Sequence, residues 1–253
     1  MSSRSDRKQD NIMKVFMGGV CAILLLAGQI APAEAQNRDS ANFDIFFRGI
    51  KAAQLGFTAI EENGRYSARS VLQASGLIGA VRKITYEASA QGSATGGDYV
   101  PSQYKEKRNN NGKIQTAEMK YRAGVPQGRE LTPPRPARPG DLDPLQQGGT
   151  WDVMTAIFAV FRDKPRDQVC KVNQVLFDGR RRSQLSMRET SAAGNKITCA
   201  AEYRRLDGFS DKELADGNRF PFTMTYQSNG NGEWHVTRVD MNTIYGSGKI
   251  VRR

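Results

Sequence analysis

The sequence predicts a mainly β fold: a large curved antiparallel sheet, or a partly open barrel, of about ten strands wrapped around one amphipathic α-helix. Three observations predict it. Apolar and polar residues alternate along most of the chain, as at Phe43, Ile45 and Phe47 or at Ile197, Cys199, Ala201 and Tyr203, which puts one side of each strand in a core. Turn signals such as Asn63-Gly64, Asn111-Gly112 and Asn229-Gly230 interrupt the alternation at intervals of roughly 8–14 residues, as antiparallel hairpins do. Only within 143–163 does the period change: Trp151, Met154, Ile157, Phe158 and Phe161 recur at three- and four-residue steps, one face of a helix. A sheet this wide has to curl, and the helix is the natural filling for its concave side.

In chain order, residues 1–35 have the form of a secretory signal peptide. Arg4, Arg7, Lys8 and Lys14 precede an apolar run from Val15 to Ala27, and Ala33-Glu34-Ala35 is a small-x-small cleavage pattern. The run falls short of the ~20 residues of a spanning helix. Cleavage is expected near Ala35, with export to the periplasm; an uncleaved anchor is the alternative. Cys21 lies inside the apolar run rather than after it, which argues against a lipoprotein anchor. Met13-Lys14 would open a more compact signal, so Met1 and Met13 both stand as start sites.

Residues 36–253 read as a single β-rich domain. Strands near 43–47 and 55–59 flank a turn at Gly49. A third, 65–72, follows Glu62-Asn63-Gly64. Gly76–Gly79 breaks the pattern, which resumes over Val81–Ala90. After Gly96-Gly97, polar strands at 102–108 and 113–122 meet at Asn111-Gly112. Residues 131–142, containing Pro133-Pro134-Arg135-Pro136, form a stiff proline-rich connector. The core helix, 143–163, stops before Pro165. Beyond it lie strands at 171–177, 180–188 and 197–206, then a loop with one helical turn at Asp211–Leu214. A hairpin at 220–226 and 234–239 and a glycine-interrupted strand at 244–251 complete the chain.

The stretch from Val169 to Phe209 carries the most information. A two-residue Asp178-Gly179 turn would set Val172 opposite Leu185 and Cys170 opposite Met187 on an apolar face, with Asn173, Phe177, Arg180 and Gln184 on a wetter one. Cys170 and Cys199 are the cysteines outside the signal-like segment, and in an exported chain they read as a disulfide. In a simple three-stranded meander they would sit two strand spacings apart, about 9.5 Å, too far for a bridge. Cys170 must then lie in the loop before its strand and cross the sheet end, or the first and third segments must be neighbours. Two small buried thiols are the remaining option.

The chain carries 37 Lys and Arg against 26 Asp and Glu, a net charge of +11, which favours anionic partners. Arg180, Arg182, Arg204 and Arg205 are the candidate anion contacts, since a guanidinium fork matches phosphate or carboxylate. The plainer reading is a basic edge that discourages strand-to-strand association. His235 is the single histidine and makes no zinc site by itself. No Gly-x-Ser-x-Gly elbow occurs, and Gly246-Ser247-Gly248 lacks the following helix of a phosphate loop. The carboxylate pairs Glu61-Glu62, Asp141/Asp143 and Asp211/Glu213 stand at turns or helix starts, where capping explains Asp143 and Asp211. No catalytic residue, metal or cofactor is expected.

Val175-Leu176-Phe177-Asp178-Gly179-Arg180-Arg181-Arg182, followed by Cys199 and Tyr203-Arg204, resembles the domain-of-unknown-function 3108 family of exported bacterial proteins. The ordered landmarks Ile50–Leu72, Thr85–Gly92, Pro101-Ser102-Gln103-Tyr104, Asp143-Pro144-Leu145 and Arg219-Phe220-Pro221 agree with it. The resemblance covers most of residues 36–253 and departs at Ser183, where an aromatic residue is commoner. It implies export and carries over no catalytic residue. The curled sheet is similar, by fold analogy alone, to periplasmic lipoprotein carriers with a half-barrel around a helix.

The expectation is a non-enzymatic periplasmic protein of the cell envelope that binds a lipid-like ligand or an envelope partner in a curved sheet. The alternative is a basic adaptor for an anionic polymer such as lipopolysaccharide or peptidoglycan, and a remote one is a glycan or peptide hydrolase. No nucleic acid is expected as a partner, and the sequence is silent on oligomeric state.

Overall fold

The computed structural model describes residues 37–243 and 246–253. The signal-like segment 1–35, with its two start sites and the cleavage expected at Ala35, lies outside the described residues. Alternation produces more strands than the ten or so expected. They are β1 (Asn37–Phe47), β2 (Ile50–Glu62), β3 (Arg65–Ala74), β4 (Ile84–Thr95), β5 (Asp98–Asn110), β6 (Lys113–Arg122) and β7 (Val125–Thr132), then the short β8 (Lys164–Pro165). There follow β9 (Asn173–Phe177), β10 (Arg182–Ala193), β11 (Lys196–Asp207), β12 (Arg219–Ser228), β13 (Glu233–Thr243) and β14 (Gly246–Arg252). They form one 14-stranded antiparallel sheet in the order β7-β6-β5-β4-β3-β2-β1-β14-β13-β12-β11-β10-β9, with β8 paired to β13.

Two meanders, β1–β7 and β9–β14, therefore share one sheet because β14 pairs with β1, Ile45 opposite Ile250. β7 and β9 are left as its edges. Antiparallel order also sorts the connections. Those after β1, β3, β5, β7, β9, β11 and β13 all fall at one end of the sheet. The link after β3 carries a short helix, α1 (Gly76–Val81), where the sequence reading begins a strand at Val81. That end is called the α1 end below.

β7 and the two-residue β8 are the strands that sequence reasoning misses. Pro126 and Gly128 disguise β7, and both are tolerated because it is an edge whose outer backbone groups need no partner. The proline-rich connector consequently begins after Thr132 rather than at Leu131.

The helix is shorter than the expected 143–163. Asp143 caps only a 3-10 turn, Pro144–Gln146, by accepting a hydrogen bond from Leu145 N. Gly148-Gly149 then breaks the chain, and Trp151 is extended, exchanging backbone hydrogen bonds with Val175 and Phe177 beside edge strand β9. The helix α2 (Val153–Phe161) starts at Asp152, whose carboxylate accepts from Thr155 N at 2.8 Å and from Thr155 Oγ1 at 2.7 Å. This is an N-cap that satisfies donors the first turn leaves open.

Seven of the nine α2 residues are buried, more than one stripe. The sheet face that meets the helix explains how this fits. Ala59, Ala68, Ala88 and Ala90 are buried on β2–β4, and such small side chains let a helix backbone approach. Large rings fill the rest. Phe158 stacks on Tyr66 at 4.8 Å and meets Tyr99 edge-on at 5.0 Å, while Phe161 meets Phe43 edge-on at 5.1 Å. Tyr226 on β12 donates to the Val160 carbonyl at 2.8 Å.

The C-terminal end of α2 holds charge in a dry setting. Arg162 and Lys164 are both buried. Arg162 donates to Tyr99 Oη at 2.7 Å and stands 3.4 Å from Glu61, and Lys164 Nζ donates to the Ala159 carbonyl beneath the Tyr226 ring. The Arg162 cation there complements the helix dipole. Burial, and then the charge of Arg162, drives the Lys164 pKa from 10.5 down to about 7, against the pull of Asp39, Asp163 and Glu61. Because the folded-state value lies below the unfolded one, the unfolded chain binds more protons between about pH 7 and 10.5, and stability rises with pH across that window. Urea denaturation from pH 7 to 10 should show this rise, and Lys164→Met should flatten it. An unchanged slope in the variant would show that Lys164 is not its source.

The basic hairpin closes differently from the two-residue turn expected. Phe177 pairs with Arg182, so Asp178–Arg181 form a four-residue loop, pinned by Asp178 Oδ1 accepting from Arg180 N and Arg181 N at 2.9 and 2.8 Å. Gln174, not Val172, lies opposite Leu185. The shift is two residues, so residues within the strands keep their parity, but Phe177, expected on the wetter face, is completely buried, and Cys170 and Arg180 lie in loops outside the strands. Cys170 precedes β9, with φ at +60°, and bonds to Cys199 on β11, the Cα atoms 5.6 Å apart. Cys170 thus lies in the loop before its strand, as in the first of the routes open to it, but it reaches Cys199 within β11 rather than at the sheet end.

Candidate functional site

The two sheet edges meet no strand, but side chains and loops converge between them at the α1 end. Arg138 N donates to Asp141 Oδ2 at 2.8 Å, folding the connector back. Asp141 in turn grips Arg180 through paired bonds of 2.9 and 2.7 Å, and Leu142 N donates to the Arg180 carbonyl at 3.0 Å. A third segment seals the junction at Gly208. There φ is +80°, and a Cβ would stand 2.8 Å from the Arg180 carbonyl. Across the seam, Gly179 leaves space that the Arg129 side chain of β7 occupies.

Between these parts lies a cleft of about 330 Å³ whose lining holds Arg108, Arg129, Arg135, Arg138, Arg180 and Arg181 against the carboxylates Glu106 and Asp178. Its floor is a polar cluster on strand faces that are otherwise core. Tyr104 and Tyr86 donate to Glu106 Oε2 at 2.6 and 2.5 Å, and Arg129 donates to Oε1. Burial disfavours the Glu106 charge, but the donors Tyr104, Tyr86 and Arg129 together hold its carboxyl below the usual range. Burial pushes the Tyr86 phenol up to about 12 and the Tyr104 phenol well above its ordinary value. Near neutrality the two phenols stay donors and Glu106 stays an anion. Arg108 lies 5.9 Å over the Tyr86 ring. Arg129 Nε is buried and donates to no acceptor among the described residues.

Arginine surplus is what the cleft offers chemically. Two of its guanidiniums are already engaged outside it: Arg180 by Asp141, and Arg181 by Glu213 at 2.6 Å. Arg135 and Arg138 are exposed on the connector. A ligand with a phosphate or carboxylate would find fork-shaped donors on three sides.

Of the four arginines singled out from sequence, Arg180 alone lines this cleft. Arg182 sits opposite Phe177 and Asp207, 3.8 Å from the Asp207 carboxylate. Arg205 donates to the carbonyls of Glu213 and Gly217 and lies over the Phe209 and Phe220 rings at 5.3 and 4.9 Å. It organises the loop that contains α3 (Asp211–Ala215), itself started by a Ser210/Glu213 capping box. Arg204 is exposed on the sheet, opposite Gln184. The structure does not bring the four together.

Arg108, Arg129, Arg135 and Arg138 escaped sequence reasoning, as did Glu106. One signal was legible: Glu106 and Arg108 share the strand face of buried Tyr104, and a charge at a core-parity position points to a built polar site. The other carboxylate pairs are employed locally. Asp143 caps its turn, Glu213 pairs with Arg181, and Glu61 accompanies Arg162. His235 is half-buried on β13, its pKa lowered by burial and by Arg252. Among the described residues no group of three His, Cys, Asp or Glu is placed to hold a metal.

A larger groove, about 880 Å³, runs over the other face of β11–β14, past Phe46, Ala200, Thr223 and Val251. Its charged residues are Lys249 and the pair Arg238 and Asp240, the pair satisfied internally at 2.6 Å, so it gathers less cationic charge than the arginine cleft. The arginine cleft is the stronger candidate despite its smaller volume. The fold and cleft together define a wide antiparallel β-sheet protein with a cationic seam. Comparison of the chain with protein-family models, curated proteins and solved structures finds no match.

Proposed function

We propose that this is an exported, periplasmic protein of the cell envelope, non-enzymatic, that holds a lipid-like ligand by an acidic headgroup. In this reading the sheet curls around α2 as a partly open barrel. The order of the Val175–Arg182, Pro101–Tyr104 and Asp143–Leu145 motifs supports kinship with the domain-of-unknown-function 3108 family. The single observation that carries the ligand reading is the excess of arginine over carboxylate around one seam cleft. Tyr86, Leu131, Pro133 and Val153, which line the same cleft, supply apolar surface for an acyl chain.

A basic adaptor for an anionic polymer is the second reading, favoured by the exposure of Arg135 and Arg138. Binding of lysophosphatidic acid, its neutral monoacylglycerol counterpart and a soluble polyphosphate separates the two. The lipid reading expects lysophosphatidic acid to bind best and the joint change Arg135→Gln, Arg138→Gln to weaken it about tenfold. The polymer reading expects polyphosphate to bind without an acyl chain and to be released steeply by salt. Equal affinity for the phosphate ester and the neutral lipid would sink the lipid reading, and polyphosphate that fails to bind would sink the polymer reading.

A further inference from the structure

The α1 end also carries an apolar surface that the cleft does not explain. α1 is a single six-residue turn of helix with no buried residue. Leu77 and Val81 are 74% and 82% exposed, and Ile78 is 42% exposed. Beside them stand Ile50 at 55% and Ile114 at 51%. Backbone bonds fix this grouping. Ser75 N donates to the Ala52 carbonyl at 2.9 Å, tying α1 to the start of β2, and Asn111 N donates to the Lys83 carbonyl at 3.0 Å, tying the end of α1 to the β5–β6 turn. The three links belong to strands β1 to β6, consecutive in the sheet, so they span about 24 Å.

Charge at these links is predominantly basic, with the flanking Asp44 already paired to Lys51 at 2.8 Å and Glu87 opposite Lys107. Residues 45–53, 74–86 and 107–117 contain basic residues and no Asp or Glu. Arg82, Lys83, Lys107 and Lys113 are all exposed there. Apolar side chains held out of a folded core are costly to leave in water. Ringed by cations on a rigid sheet end, they match one environment: the interface of a bilayer with anionic headgroups, where aliphatic side chains enter the acyl boundary and Lys and Arg meet phosphates. A protein partner of comparable size would need acidic groups spaced to match; a lipid surface supplies them at every position.

We propose that the α1 end docks this protein reversibly on an anionic phospholipid surface, with Leu77, Ile78 and Val81 inserted and Arg82, Lys83, Lys107 and Lys113 at headgroup level. The site rests on side chains separate from the arginine cleft, so it stands or falls independently of the ligand reading. Because the α1 apolar residues support no core, Leu77→Ser with Val81→Ser leaves the fold intact, which circular dichroism checks.

Sedimentation with vesicles of phosphatidylcholine alone, and of an equal mixture with phosphatidylglycerol, is the test. The proposal expects at least about tenfold tighter binding to the mixed vesicles. The same is expected to fall about tenfold in the double serine variant and in Lys83→Gln with Lys113→Gln, while Lys196→Gln at the opposite sheet end has no effect. Arg135→Gln with Arg138→Gln, which tests the cleft, should leave vesicle binding within a factor of about two. Equal binding to both vesicle types, or binding undiminished by the double serine change, overturns the proposal. So does self-association that the same change abolishes in a protein that ignores vesicles, which would assign the face to a second copy.

Discussion

Phe158→Ala is expected to cost about 3–5 kcal/mol of folding stability, read as a lowered denaturation midpoint with little change in slope. The ring is completely buried at the centre of α2, stacked on Tyr66 and edge-on to Tyr99. Its removal opens a cavity bounded by strands on one side and helix backbone on the other, neither free to collapse. Tyr66 is held in place by its bond to Thr155 Oγ1 at 2.7 Å, and that hydroxyl by Asp152 at 2.7 Å. Phe158→Leu, which keeps most of the volume, should cost less than half as much. Equal losses in the two variants would mean that volume is not what this position supplies.

Loss of the Cys170–Cys199 bridge is the other large effect. The cysteines are 29 residues apart and enclose the four-residue loop, β9 and β10. Cross-linking a loop of that length is worth roughly 3–4 kcal/mol through the unfolded chain. Cys170→Ser with Cys199→Ser should therefore lower stability by about that amount, and reductant should do the same to the native protein. β9 should suffer most. It is a five-residue edge strand, held by β10 on one side and by the Trp151 segment on the other. Hydrogen exchange at Val175 and Phe177 should speed up ahead of exchange at β2 or β12. Uniform acceleration throughout the sheet would show that the bridge stabilises the whole fold and not its edge.

How far the sequence could be read follows from what each signal encodes. Alternation reports which face of a strand is buried, so Phe43, Phe57, Tyr66 and Cys199 could be assigned to a core from their spacing. Alternation is blind to strand order, so nothing in Ile45 or Ile250 announces that they are partners. Turn residues locate hairpins but not their loop lengths. Asp178-Gly179 has the composition of a two-residue turn, yet the carboxylate of Asp178 holds two successive amides and the loop takes four residues. The three- and four-residue spacing overextends the helix because Trp151 happens to keep it, although the Gly148-Gly149 pair ends any continuity. The cleft was the least legible part. Its arginines come from β5, β7, the connector and the β9–β10 loop, segments up to about seventy residues apart that only the folded sheet assembles.

The pairing of β1 with β14 carries a kinetic consequence. Phe43 is opposite Arg252, so the contact that unites the two meanders has nearly the largest sequence separation the described chain allows. Loop closure on that scale is slow, and all-β chains of high contact order fold over milliseconds to seconds or longer. Until the last strand arrives, β1 offers an unpaired backbone edge, the kind of template that recruits other unfinished chains. Newly made protein of this architecture is thus most vulnerable to aggregation in the interval before its final strand docks, and a holding chaperone that shields β1 would raise its yield more than any change to the core.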